Sequence, residues 1–83
     1  MNIIQRNFYR LIRNGLFGHQ EIIEPMSAFK WSKLFQLAVM HEVVVPVWQG
    51  LQKSKNQFQL HLTQQQWELW EKSVKEYGEK AES

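Results

Sequence analysis

Apolar residues recur at every third or fourth position in four stretches of the chain, which is the spacing of amphipathic helices. Residues 15–25 interrupt this period with two glycines and a proline, and therefore predict a loop after the first stretch. We expect the first helix to end near Gly15. Its apolar side consists of Ile4, Phe8, Leu11 and Ile12.

The second stretch predicts a helix that begins after Ser27, a residue type favoured as an N-cap, and continues to about Glu42. His41 lies near the expected end of this helix, where its side chain can cap free carbonyl groups or pack against the core. The apolar side of the helix is formed by Trp31, Leu34, Phe35 and Ala38.

The third stretch follows a short valine-rich connector. Residues 43–45 are all β-branched and favour extended backbone, and Pro46 suits the first turn of a helix that buries Leu51. Residues 53–59 are polar and predict a second loop.

The fourth stretch carries the clearest start signal in the chain. Thr63 and Gln66 have the spacing of a capping box, in which each side chain binds a free backbone N–H of the other residue. Gly78 should end this helix and leave residues 79–83 as a frayed tail. The apolar residues of the helix are Trp67, Trp70, Val74 and Tyr77.

We therefore expect an all-α protein, a compact bundle of about four helices joined by short loops. Residues 1–83 should form a single helical domain, with an ordered core over about residues 3–77. The predicted structural core consists of Phe8, Leu11, Trp31, Leu34, Phe35, Ala38, Leu51, Trp67, Trp70 and Val74.

The composition removes most catalytic chemistry from this chain. It has no cysteine and no aspartate, which excludes disulfides, thiolate metal sites and every triad or magnesium site built on aspartate. The histidines at positions 19, 41 and 61 are far apart in the sequence, and no cysteine, aspartate or HExxH motif accompanies them to complete a metal site. We expect no catalytic, cofactor-binding or metal-binding residue in these 83 residues.

The apolar runs are too short for a membrane span. The longest, residues 43–48, has six members and includes a proline, whereas a membrane-spanning helix needs ~20 apolar residues. The first residues also lack an apolar block followed by a cleavage site. We expect a cytoplasmic protein without a membrane partner.

Arg6, Arg10 and Arg13 follow one another at helical spacing on the side opposite the first apolar stripe, with Tyr9 beside them. These four residues form a possible contact surface. The arginine face can be a solvated surface, a phosphate-binding ridge or a contact with an acidic protein. A net charge of +2 is small, which disfavours nucleic acid as the partner.

The centre of the chain resembles a known family in its residue order, which runs Trp31, Leu34, Leu37, Ala38, His41, Val43, Val44, Pro46, Val47 and Leu51. The likeness is to the N-terminal helical region of a family of uncharacterised nucleotidyltransferases in the polymerase-beta-like superfamily. Members resemble this chain in a Trp-x-x-Leu-x-x-Leu-Ala-x-x-His helix followed by a valine-rich connector with proline. The likeness covers about residues 8–77.

The resemblance implies that the catalytic residues of the whole protein lie outside these 83 residues. In that family a Gly-Ser turn and an Asp-x-Asp pair hold two divalent metals, and this chain has neither motif. We therefore expect a non-catalytic N-terminal domain of a longer protein that packs against its own catalytic domain, where magnesium would be bound. The alternatives are a stand-alone helical interaction module that binds another protein or a second copy and, third, a weak nucleic-acid binder. The sequence leaves the oligomeric state open.

Overall fold

The computed structural model describes residues 2–54 and 62–82, with side chains described as far as Tyr77. These residues form four helices and no strand, which confirms the predicted all-α fold. The helices are α1 (Ile3–Phe17), α2 (Ala28–Met40), α3 (Val44–Ser54) and α4 (Gln64–Glu82). The most extensive helix contact in the described part of the chain is between α1 and α3.

Side-chain caps start three of the helices. The Thr63 hydroxyl accepts the backbone N–H of Gln66, and the Gln66 side chain accepts the backbone N–H of Thr63, each at 3.1 Å. Asn2 and Gln5 form the same reciprocal box at the start of α1. Ser27 caps α2 with its hydroxyl. Asn2 and Gln5 have the same spacing as Thr63 and Gln66, but the sequence analysis predicted only the box at α4.

Two expected helix ends are wrong. Helix α1 continues through Gly15 and ends at Phe17, followed by the C-cap residue Gly18, which adopts the left-handed conformation at φ 67°. Helix α4 continues through Gly78, so the backbone of residues 79–82 is helical. Glycine inside a helix costs only ~1 kcal/mol relative to alanine, so it does not end a helix by itself.

The turn between α2 and α3 also differs from expectation. Glu42 takes the left-handed conformation at φ 55°, and the N–H of Val43 donates to the Ala38 carbonyl at 2.9 Å, which closes the end of α2. Helix α3 then starts at Val44, so the predicted extended connector is largely its first turn. Pro46 is tolerated there because first-turn N–H groups have no acceptor within the helix.

Two glycines allow α1 and α3 to touch backbone to backbone. A Cβ atom at Gly15 would lie 2.1 Å from the Pro46 carbonyl oxygen, and one at Gly50 would lie 2.1 Å from the Leu11 carbonyl oxygen. No larger residue fits either position at this separation. Gly15 is therefore a packing residue of α1 and not its end.

Most of the predicted core is buried, and its edge is formed by aromatic pairs. The buried members are Phe8, Leu11, Trp31, Leu34, Ala38, Leu51 and Trp70. Phe35, Trp67 and Val74 are partly buried and pack against this cluster. The Phe35 ring meets Trp70 edge-on at 4.8 Å between centroids, and Trp67 meets Trp48 in the same way at 5.8 Å.

The second predicted loop begins later in the chain than expected, because α3 extends into it. Lys53 and Ser54 belong to α3, and the rest of the predicted loop lies outside the described residues, as does His61. The Ser54 side chain is buried beneath α1 rather than exposed on a loop. The end of α3 therefore contributes to the interior of the domain.

Candidate functional site

The arginine face of α1 is paired with carboxylates from the segment that joins α1 to α2, residues 18–27, which we name the strap. Arg6 Nε and Arg10 Nη1 each donate to Glu24 Oε2 at 2.9 Å. Arg13 binds Glu21 through two N–H groups, one of them at 2.8 Å. The three arginines of the predicted contact surface thus have binding partners within their own chain, whereas its fourth member, Tyr9, is exposed.

This pairing changes the proton affinity of both strap carboxyls. The hydrogen bond from Arg6 holds the pKa of Glu24 below its usual value, and the hydrogen bond from Arg13 does the same for Glu21. The pKa values of Arg6 and Arg13 are raised in turn. A phosphate that approached these arginines would have to compete with a carboxylate already bound to them.

Two buried asparagines fasten the backbone of the strap to α1. Asn7 donates from Nδ2 to the Glu24 carbonyl at 2.9 Å and accepts the Glu24 N–H at 3.0 Å. Asn14, two turns later, makes the same pair of bonds with Glu21, at 3.0 and 2.9 Å. Its Nδ2 also lies 3.3 Å from Ser54 Oγ.

The sequence analysis overlooked both asparagines. Their only signal is the spacing of seven residues inside a helix, where asparagine is a poor helix former. That spacing places both side chains on one face of α1 but does not reveal what they bind. They hold the strap so that Ile23 enters the core, while the neighbouring Ile22 remains 75% exposed.

Helix α2 presents the second candidate surface. Phe29, Lys33, Gln36 and Met40 lie along one exposed side of this helix, at helical spacing, and we name them the α2 strip. Phe29 is 68% exposed and Met40 71%. Lys33 Nζ lies 5.3 Å from the centre of the Phe29 ring.

A groove of about 400 Å³ runs between the α2 strip and the start of α1. Ile4 and Leu37 contribute to its apolar wall, and Asn2 and Gln5 line it from the first turn of α1. Among the described residues that line the groove, Lys33 carries the only formal charge.

A second groove, of about 320 Å³, lies between α2 and α4 and is lined largely by apolar side chains that include Trp31 and Leu69. Gln66 closes one end, because its Nε2 donates to the Ala28 carbonyl at 2.9 Å. Trp31 Nε1 is buried and has no hydrogen-bond partner in the described part of the chain. It is covered by other atoms and does not offer a donor to this groove.

The described histidines, His19 and His41, lie in separate surroundings. His19 Nδ1 lies 3.7 Å from Glu21 Oε2. His41 is the C-cap residue of α2, and its ring lies 6.1 Å from that of Phe8. Residues 2–54 and 62–77 contain no group of three side chains placed to hold a metal ion.

No helix among the described residues has the length and apolar character needed to cross a membrane.

Comparisons with known proteins return no match, whether against family models, curated proteins or solved structures. The nucleotidyltransferase resemblance therefore remains a prediction from the sequence. The geometry supplies two candidate surfaces, the arginine face, whose arginines are paired with carboxylates of the strap, and the α2 strip, which the rest of the described chain leaves exposed.

Proposed function

We propose that this chain is a non-catalytic helical domain that acts by packing against another protein surface. The observation that carries the proposal is the α2 strip, where Phe29 and Met40 stand exposed along one wall of the groove between α2 and the start of α1. Single exposed apolar residues are common, but two large ones, Phe29 and Met40, beside a groove that Ile4 and Leu37 also line are typical of an interaction site. Aromatic residues and methionine are also enriched at protein interfaces.

The first candidate partner is the catalytic domain of a nucleotidyltransferase. The support is the resemblance, whose tryptophan-to-histidine motif coincides with α2, the same helix that carries the strip. In this proposal the catalytic domain holds the nucleotide and divalent metal, and the helical domain covers or shapes the substrate side. The strip provides the contact between the two.

The second candidate is a stand-alone interaction module. Leu16 and Phe17 at the end of α1 are also exposed, so the chain has apolar surface beyond the strip. Pairing two copies of α2 is unfavourable, because α2 has lysines at positions 30 and 33 and no acidic residue. Nucleic-acid binding is the third candidate, and the paired arginines weaken it.

Site-directed photocrosslinking in the natural host tests the proposal. A photoreactive phenylalanine analogue at position 29 should give one crosslinked protein species, and Met40→Ser should reduce its yield. The matched control is the same analogue at Gln52, an exposed position on α3. Equal crosslinking from both positions would remove the strip as the contact surface.

Two further readouts complete this test. The segment crosslinked to position 29, on the same polypeptide or on a second one, should belong to a domain with Gly-Ser and Asp-x-Asp motifs if the first candidate is correct, and to a protein that lacks them if the module stands alone. The isolated chain with magnesium and nucleoside triphosphates should show no transfer. Measurable turnover would overturn the proposal of a non-catalytic domain.

A further inference from the structure

We infer that the partner of the α2 strip is an acidic amphipathic helix, which lays its apolar side into the groove and places carboxylates beside Lys33. This inference rests on the proposed function, because it names the partner class of the same surface. Its basis is the shape of the groove together with the charge around it.

The shape fits a helix of about three turns. Phe29 and Met40 are eleven residues apart on α2 and therefore lie about 16 Å from one another along the helix axis. The groove that runs beside both residues has an apolar wall that includes Ile4 and Leu37. A helix with apolar residues at every third or fourth position presents a matching stripe of that length.

The charge selects an acidic partner. Helices α1 and α2 contain no acidic residue, so no carboxylate from either helix neutralises Lys33. The first turn of α1, which lines the groove, adds the positive end of a helix dipole. Lys33 is also held near the Phe29 ring, so its charge lies next to the apolar contact.

A second copy of this chain is a poorer fit. Its most acidic helix is α4, where Leu69 is exposed beside Glu68 and Glu71. Lysines at positions 72 and 75 follow these glutamates at a spacing of four residues and partly offset their charge, and Leu69 is the one large apolar residue that α4 exposes among the described side chains, so it has no apolar stripe to offer the groove. An acidic helix from another protein or domain that has no such lysines complements the charge of Lys33 better.

The test compares two synthetic helical peptides of about 15 residues. Both carry leucines at every third or fourth position, and the flanking positions are glutamate in one peptide and lysine in the other. Binding is followed by backbone amide shifts of the isotope-labelled chain. The glutamate peptide should bind about tenfold more tightly at low salt, shift residues of α2 and the start of α1, and lose its advantage at about 1 M salt.

Three variants of the chain locate the effect. Lys33→Gln should abolish most of the difference between the peptides, whereas Lys53→Gln, on α3, should leave it unchanged. Phe29→Ser should weaken both peptides. All three positions are exposed, so the fold should survive each change.

Several outcomes would overturn the inference. Equal or tighter binding of the lysine peptide, with Phe29 still required, would refute the acidic partner and leave the strip as an interaction surface. Absence of binding by both peptides would refute the helical partner, while crosslinking at position 29 would still judge the proposed function. Concentration-dependent self-association that Phe29→Ser abolishes would identify a second copy as the occupant.

Discussion

The outward sides of helices α1 and α2 differ, because another segment of the chain binds that of α1 while that of α2 is exposed. The polar side of α1 is held by the strap, through arginine–glutamate pairs and asparagine bonds to the backbone. Its opposite side meets α3 at the glycine contact. Helix α2 buries Trp31, Leu34 and Ala38 but leaves the α2 strip exposed.

This difference indicates where each helix finds its partners. The charged face of α1, the more conspicuous feature of the sequence, is used to build the domain. The less conspicuous α2 strip has no covering element in the described part of the chain. A row of charges in a sequence is therefore not by itself evidence of an external binding surface, because a nearby segment of opposite charge can occupy it.

The largest effect is expected at the contact between α1 and α3. Gly50→Ala should destabilise the domain by about 3 kcal/mol, because the added methyl group collides with the Leu11 carbonyl oxygen. Chemical denaturation measures this, with Gln52→Ala on the same helix as the control. A gain in stability of about 1 kcal/mol, as helix propensity alone would give, would contradict the close contact.

The asparagine bonds to the strap should come next. Asn14→Ala should cost ~1–3 kcal/mol, since it removes both hydrogen bonds that the buried Asn14 side chain makes with the backbone of Glu21. Amide hydrogen exchange at Glu21 should accelerate with it. Gln20→Ala, at an exposed strap position, is the control and should change neither quantity. Unchanged exchange at Glu21 would show that the strap is held by other contacts.

The arginine–glutamate pairs should make stability depend on pH in the acid range. The folded-state pKa values of Glu21 and Glu24 are lowered, so their contribution is present above the unfolded value of ~4.3 and is lost as the pH falls through the folded values. Thermal unfolding from pH 7 to 3 should show this loss. The double variant Glu21→Gln, Glu24→Gln should flatten the profile, and Glu68→Gln on α4 should not. A profile unaffected by the double variant would show that other groups control it.

The smallest effect on stability is expected at the α2 strip. Phe29→Ser and Met40→Ser should each change the free energy of unfolding by less than about 0.5 kcal/mol, because both side chains are exposed in the folded domain. Denaturant unfolding of each variant provides the measurement. A loss above about 1.5 kcal/mol would mean that the strip is buried within the domain and is not available to a partner.

The starts of α2 and α4 and most of the core follow from local signals, as Ser27 and the Thr63–Gln66 box illustrate. The same capping rule would have found the Asn2–Gln5 box. The helix ends were less predictable, because a glycine such as Gly15 can stop a helix or admit a neighbouring helix. Local sequence contains no information that separates these two roles.

The candidate surfaces, too, were predictable only as far as local sequence signals determine them. The helical period placed Arg6, Arg10 and Arg13 on one side of α1, and that placement needed only the sequence. It did not reveal that Glu21 and Glu24 would bind them, because the loop between the helices has no period from which its path can be derived. The exposure of Phe29 was equally hidden, since an aromatic residue near a helix start is as compatible with the core as with the surface.

The sequence by itself determined the all-α class, the capped helix starts and the buried apolar stripes, because all three depend on residues within a few positions of one another. The tertiary structure alone decided that Gly15 and Gly50 form a contact, that the strap pairs with the arginine face, and that the α2 strip remains exposed. The partners in the first two cases are 8 to 39 residues apart in the chain. Contacts at such separations depend on how the helices and the strap pack, which a local period does not record.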